Sequence, residues 1–218
     1  MRTRARLSTF AGALLALATG CGSSPEPIFY ALSPTRGVVQ AEVPAQLSPP
    51  AGATPAGAPQ AGAPHAIRIR RPGLAGYLDR PEIVRRVVEF RLGVAANERW
   101  GEPLDMMVAR VLAEDIQQRV PGASVFTAEG AITADPDATV EVDVQRFDVG
   151  ETGEVNLVAQ VAVERGATHT AAATQAVRLG ARPKADTTAA LVSTMSDLLG
   201  QMADQIAAML RGGSEEPR

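Results

Sequence analysis

The sequence predicts an α+β fold: a mostly antiparallel sheet with two amphipathic helices packed on one face of it. Three observations carry that prediction. First, two long segments alternate with period two. Val140, Val142 and Val144 stand against Glu141, Asp143 and Gln145, and Val155, Leu157, Ala159, Val161 and Val163 fill every second position of the next. Second, two segments repeat apolar residues at three- and four-residue steps: Leu104, Met107, Val108, Val111, Leu112, Ile116 and Val120, then Leu191, Met195, Leu198, Leu199, Met202, Ile206 and Met209. Third, the alternating segments are joined by short turn sequences, Gly150-Glu151-Thr152-Gly153 and Arg165-Gly166, which suit antiparallel neighbours. With 218 residues, 45% hydrophobic and 21% charged, the chain is long enough for one core.

In chain order, residues 1–20 read as an export signal. Arg2, Arg4 and Arg6 make a basic start, and the apolar run from Phe10 to Ala18 is too short to span a bilayer as a helix. Cys21, the one cysteine of the chain, follows Leu17-Ala18-Thr19-Gly20 directly. Small residues before a cysteine at the end of an apolar run resemble a bacterial lipobox. That resemblance implies cleavage ahead of Cys21, a thioether from its thiol to diacylglycerol and an N-acyl chain on its amine. Apart from these covalent lipids, no cofactor is expected. The competing reading is an ordinary signal peptide followed by a free thiol; a lone exported cysteine has no disulfide partner. Several acyl chains, at roughly 0.8 kcal/mol per buried CH2, suffice for a firm membrane anchor. Gly22 rather than an aspartate follows the cysteine, which by analogy with sorting in enterobacteria points to the outer membrane. Losing the three arginines takes the formal charge from −3 to about −6, which argues against nucleic acid as a partner.

Residues 21–65 read as a lipidated start followed by a tether. Between Gln40 and His65 the chain is mainly Ala, Pro and Gly with almost no charge, so it cannot bury enough surface to offset its chain entropy. Pro27 to Leu32 is the exception. It has strand character, and if it pairs at a sheet edge the Pro-rich stretch becomes a loop that leaves and rejoins the domain.

The folded domain is expected over residues 66–211. Ala66 to Arg71 alternates Ile67 and Ile69 with Arg68 and Arg70, and Pro72-Gly73 ends that strand. A loop, Tyr77-Leu78-Asp79-Arg80-Pro81, precedes short strands at Ile83 to Phe90 and Arg91 to Ala96, and Arg99 to Pro103 reads as a turn. The first helix should run from Leu104 to Val120. Pro103 stands in its first turn, Glu102 and Asp105 lie near its positive end, and Pro121-Gly122 stops it. Glu102, Asp105, Arg110, Glu114, Gln117, Gln118 and Arg119 are placed on its wet side. Ser124 to Thr127, Ala138 to Val149, Val155 to Val163 and Thr168 to Leu179 are strands, the last three forming an antiparallel meander. Asp186 is the expected cap of a helix through Leu210, ended by Gly212-Gly213, and residues 212–218 form a frayed tail.

An enzyme is not expected. His65 and His169 have no Asp, Glu or Cys at metal-ligand spacing, so no metal site is expected. The nucleophile-elbow, phosphate-loop and dinucleotide glycine patterns are all missing. Between His65 and Trp100, eight arginines meet four acids; this is either an anion-facing patch or a set of solvated strand faces.

Three motifs in order carry a family resemblance: Tyr77-Leu78-Asp79-Arg80-Pro81-Glu82-Ile83-Val84-Arg85-Arg86, Arg99-Trp100-Gly101-Glu102-Pro103-Leu104, and Arg110-Val111-Leu112-Ala113-Glu114-Asp115. Together with Phe29-Tyr30-Ala31-Leu32 and Gln145-Arg146-Phe147, they resemble the PqiC/YmbA family of ABC-type transport auxiliary lipoproteins, which work with MCE-domain lipid transport systems. The resemblance spans Pro27 to Leu210, and the insert at Gln40 to His65 departs from it. It implies a non-catalytic lipoprotein of the outer membrane facing the periplasm. Such a subunit would dock an MCE-domain protein and its permease complex and support the integrity of the envelope; self-association into a homo-oligomer is left open. Tyr77, Leu78, Asp79, Arg80 and Pro81 are the expected partner-facing set, with a local Asp79–Arg80 ion pair as the structural alternative. The rival reading is a stand-alone lipid-binding or cell-wall-associated structural lipoprotein.

Overall fold

The computed structural model describes residues 26–37, 64–88, 90–132, 134–166 and 170–212. Cys21, the signal segment, most of the Ala/Pro/Gly-rich stretch, His169 and the tail beyond Gly212 lie outside the described residues.

Nine strands and two helices follow in the order β1 (Ile28–Tyr30), β2 (Ala66–Ile69), β3 (Gly73–Leu74), β4 (Glu82–Val88), β5 (Arg91–Trp100), α1 (Leu104–Arg119), β6 (Ser124–Thr127), β7 (Ala138–Val149), β8 (Val155–Arg165), β9 (Thr170–Ala181) and α2 (Thr188–Gly212). They form one sheet with both helices on one face. The meander predicted from alternation is present as the antiparallel ladders β7–β8 and β8–β9, and Gly153 closes the first turn at φ 77°. β7 is the hub. One edge takes β8 along its whole length, while the other meets β2, then β3, then β4, each in parallel. β5 pairs antiparallel with β4, β1 adds parallel to β5, and β6 adds parallel to β2. The antiparallel ladders are the longest, but the short parallel ones join the two halves of the domain. No local pattern forecasts them, because each connects strands far apart in sequence.

The helix-facing side of β7 and β8 is the expected one. Val140, Val142, Val144, Phe147 and Val149 meet Val163, Val161, Ala159, Leu157 and Val155, and all ten are buried. A register shift between Val144 and Arg146 makes Phe147, not Arg146, continue the apolar row. α1 covers the β2–β6 side and α2 the meander, and the two helices pack on each other.

Several local expectations change. The strand β5 runs through Trp100, so Arg99-Trp100 is not a turn; Trp100 is 5% exposed and its N–H donates to the Pro81 carbonyl (2.7 Å). α2 starts at Thr188 and is capped by Thr187, whose Oγ1 accepts from the Ala190 N–H (3.2 Å), so Asp186 is not the cap. The helix also continues past Leu210 to Gly212. Arg119, expected in water, has a side chain only 6% exposed, because a third element covers that flank of α1.

That element is the segment after β1. Leu32 is buried, and its N–H points at the Met107 sulfur (2.9 Å). The Ser33 N–H donates to Ser196 Oγ (3.1 Å) on α2, and the Thr35 N–H donates to Asp115 Oδ1 (2.8 Å) on α1. The chain therefore enters the fold ahead of the Pro-rich stretch, which leaves near Gly37 and returns at Pro64 as a connection between two packed segments. Of the two readings of the Pro-rich stretch, a tether or a loop that leaves and rejoins the domain, the pairing of β1 and the packing of Leu32 to Thr35 favour the loop.

Candidate functional site

The loop of Tyr77 to Pro81 splits in two. Its Ala75-to-Leu78 part is fixed by backbone hydrogen bonds, Ala75 N–H to the Val144 carbonyl (2.9 Å) and Leu78 N–H to the Ala75 carbonyl (2.8 Å). Leu78 is 3% exposed and belongs to the core, so it cannot face a partner. Tyr77 is half-buried, and its hydroxyl donates to Asp148 Oδ2 (2.7 Å) on the sheet face away from the helices. Of the two, Leu78 leaves the expected partner-facing set because the chain turns it into the core, whereas Tyr77 stays partly accessible with its hydroxyl held by Asp148. Asp79, Arg80 and Pro81 remain exposed. No hydrogen bond or ion pair joins the Asp79 and Arg80 side chains among the described residues, so the local ion pair does not form.

Under the loop, Asp148 is the sheet-side anchor. It is 1% exposed, and Tyr77, Arg146 Nε (2.9 Å to Oδ1) and Arg86 Nη2 (3.5 Å to Oδ2) serve its two oxygens. A buried carboxylate needs such donors, since leaving it bare costs several kcal/mol. Burial and the hydrogen bond to Asp148 raise the Tyr77 phenol above its ordinary pKa, so it remains a hydroxyl donor at every physiological pH.

On the helix side, Asp115 is fully buried between α1 and the segment after β1. Its Oδ1 accepts from the Thr35 N–H and from Arg119 Nη1 (3.3 Å), whereas Oδ2 has no partner. Burial is the main influence and pushes the carboxyl above its ordinary pKa, with the Thr35 and Arg119 contacts pulling the other way. Arg119 also donates to Asp204 Oδ1 (2.6 Å) and to the Thr35 carbonyl (3.3 Å). Gly200 of α2 lies directly against Thr35, and a Cβ there would overlap the threonine hydroxyl. Nothing in the local pattern marks this clamp: Arg119 is expected on the wet side of α1, and Asp115 four residues before it suggests no more than an ordinary i, i+4 pair.

Five of the eight arginines between His65 and Trp100 are paired with acids: Arg70 with Glu141, Arg71 with Asp105, Arg85 with Glu98, Arg86 with Asp148 and Arg99 with Glu82. Most of the apparent cationic excess is therefore an ion-paired surface. Among the described residues no group of three or more His, Cys, Asp or Glu could hold a metal ion, and no helix is long and apolar enough to cross a membrane.

Exposed apolar residues gather instead on the β4–β5 hairpin, at Val87, Val88, Phe90, Leu92 and Val94, and beside it at Ile28 and Phe29 of β1. Nothing in the sequence marked them, because strand residues in an alternating run are assumed to be covered.

Residues 46–207 match the model of a family described as "ABC-type transport auxiliary lipoprotein component". No curated protein matches the chain. Among solved structures, an uncharacterized protein superimposes with a TM-score of 0.60 at 19% identity, covering 66% of this chain and 91% of its own. Protein XCC0632 from Xanthomonas campestris, of the DUF330 family, gives 0.58 at 17% identity, covering 69% of this chain and 87% of its own. At these identities the two structures speak for the fold alone.

Proposed function

Since the chain belongs to the family of ABC-type transport auxiliary lipoprotein components, we propose that it is a non-catalytic subunit, lipid-anchored through Cys21, that docks an MCE-type phospholipid transport assembly at the outer membrane from the periplasmic side. The position of β1 carries this reading. Cys21 lies seven residues ahead of Ile28, and Ile28 to Thr35 is bolted to β5, α1 and α2. Seven extended residues reach about 25 Å at most, so acyl chains on Cys21 would hold the domain close to the bilayer, not on a long leash. A lipid anchor with a rigid attachment suits a docking piece: it fixes where the partner must come.

The partner-facing surface is assigned to Asp79, Arg80 and Pro81, which project from a loop whose other half is locked into the core. Two measurements test the proposal. Mass spectrometry of the processed chain should find diacylglycerol and an N-acyl group on Cys21, and a free thiol overturns the anchor. Charge reversal by Asp79→Lys with Arg80→Glu should strip an MCE-domain partner from the purified protein without moving Tm, because both side chains are exposed and unpaired. Undiminished co-purification removes this loop from the docking surface.

A further inference from the structure

The β4–β5 hairpin is apolar on both of its faces. Because the ladder shifts register between Arg86 and Val88, Val87 and Val88 both stand on the Gly93 side, at 45% and 43% exposure; Leu92 and Val94, on the other side, are 40% and 48% exposed, and Phe90 in the turn is 91% exposed. A ribbon that packs on a protein surface needs only one apolar face. One that is apolar on both, and ends in a phenylalanine, is suited to being surrounded.

The strand registers show which end of the molecule the hairpin occupies. Ala181, Val155, Val149, Arg85 and Gly93 form one row across the sheet. Beyond it lie the hairpin turn, the Gly150–Gly153 turn and the residues leaving β9. Because β1 runs parallel to β5, the chain preceding Ile28 also heads towards that end. From Ile83 to Phe90 the hairpin rises over seven residues, about 23 Å, and seven residues also separate Ile28 from Cys21. The lipid-bearing residue can therefore reach the level of the hairpin tip. Arg91, Arg182 and Lys184 lie at the same end, exposed and without an acidic partner among the described residues; Glu151 and Asp186 are the exposed acids there among the described residues, and Glu89 of the turn lies outside them.

We propose that this hairpin is a second membrane contact, with Val87, Val88, Phe90 and Leu92 entering the boundary between headgroups and acyl chains and Arg91, Arg182 and Lys184 meeting anionic headgroups. The proposal rests on the reading of Cys21 as the lipid anchor. One anchor leaves the domain free to swivel, and a second contact would fix which face it turns to the periplasm.

The test uses the full processed chain in vesicles of phosphatidylethanolamine and phosphatidylglycerol, with and without bromine on the acyl chains. Phe90→Trp should give a blue-shifted emission that brominated chains quench, whereas Ile132→Trp, exposed in the connection leading to the other end of β7, should stay unquenched. Trp100 is buried and supplies a constant background. Adding Val88→Asp to the Phe90→Trp protein should return its emission to the red and abolish the quenching. An acylated protein whose Trp at position 90 is not quenched overturns the proposal. A blue shift without quenching overturns it too, and shows the tip covered by protein, either a second copy or a partner. A chain with no acyl group on Cys21, read from its mass, overturns the anchor and this proposal together.

Discussion

Among the described residues two carboxylates are buried, on opposite sides of the sheet, and they are treated differently. Asp148, under the Tyr77 loop, has donors on both oxygens, all supplied by side chains. Asp115, between the helices and the segment after β1, has donors on one oxygen only, and the backbone of Thr35 supplies one of them. The first closes the outer face of the sheet with its needs met. The second remains partly unsatisfied, its burial raises its pKa against the pull of Thr35 and Arg119, and what it secures is the segment after β1. A domain that only had to fold could place an apolar residue at Asp115; a domain that must hold its own N-terminal strap needs an acceptor there for the Thr35 N–H.

Removing the less satisfied carboxylate should break this contrast most sharply. Asp115→Ala strips Arg119 of a buried partner and leaves the Thr35 N–H bare, and a loss of about 3 kcal/mol in urea unfolding is expected. A loss no larger than that of an exposed substitution would mean the clamp is not under tension.

Gly200→Ala attacks the same strap from the other side. The new Cβ overlaps Thr35, so the strap must move at a cost of about 2 kcal/mol, and trypsin should cut at Arg36 faster than in the parent. Unchanged cleavage would show that the strap lies elsewhere.

On the sheet side, Tyr77→Phe removes one donor but leaves Asp148 its two arginines, so about 1 kcal/mol should be lost, with a fall in Tm of a few degrees.

The smallest effect is in the pH profile. Because folding raises the Asp115 pKa, the native state holds its proton more tightly than the unfolded chain does. This carboxyl therefore subtracts stability as pH rises from about 4 through the raised value, and lowering the pH restores it. The stability of the parent minus that of Asp115→Asn should accordingly fall across that window; a difference that rises would show Arg119 outweighing burial.

Legibility in the sequence followed the range of the interactions. The meander, both helical stripes and the inward rows of β7 and β8 were readable because alternation and helical period are local. The family motifs were readable for a related reason: Trp100 and the Tyr77–Arg86 run are short, dense signatures. Misassigned positions were those whose partners lie far along the chain. Leu78 looks like a loop residue until β7 fixes Ala75 beside it, Arg119 looks solvated until Thr35 and α2 cover it, and Asp186 looks like a cap until Thr187 is seen to do that work.

By itself, the sequence determined the α+β class, the two helices, the antiparallel meander and the family, since each is written in periodicity or in contiguous residues. The tertiary structure decided that the chain is bolted in ahead of its Pro-rich stretch, that one half of the Tyr77–Pro81 loop faces the core, and that an apolar hairpin stands uncovered at the end of the sheet opposite to the direction in which β1 runs. Those are questions of which distant surfaces meet and which are left without cover, and hydrophobic pattern along a chain carries no information on that choice.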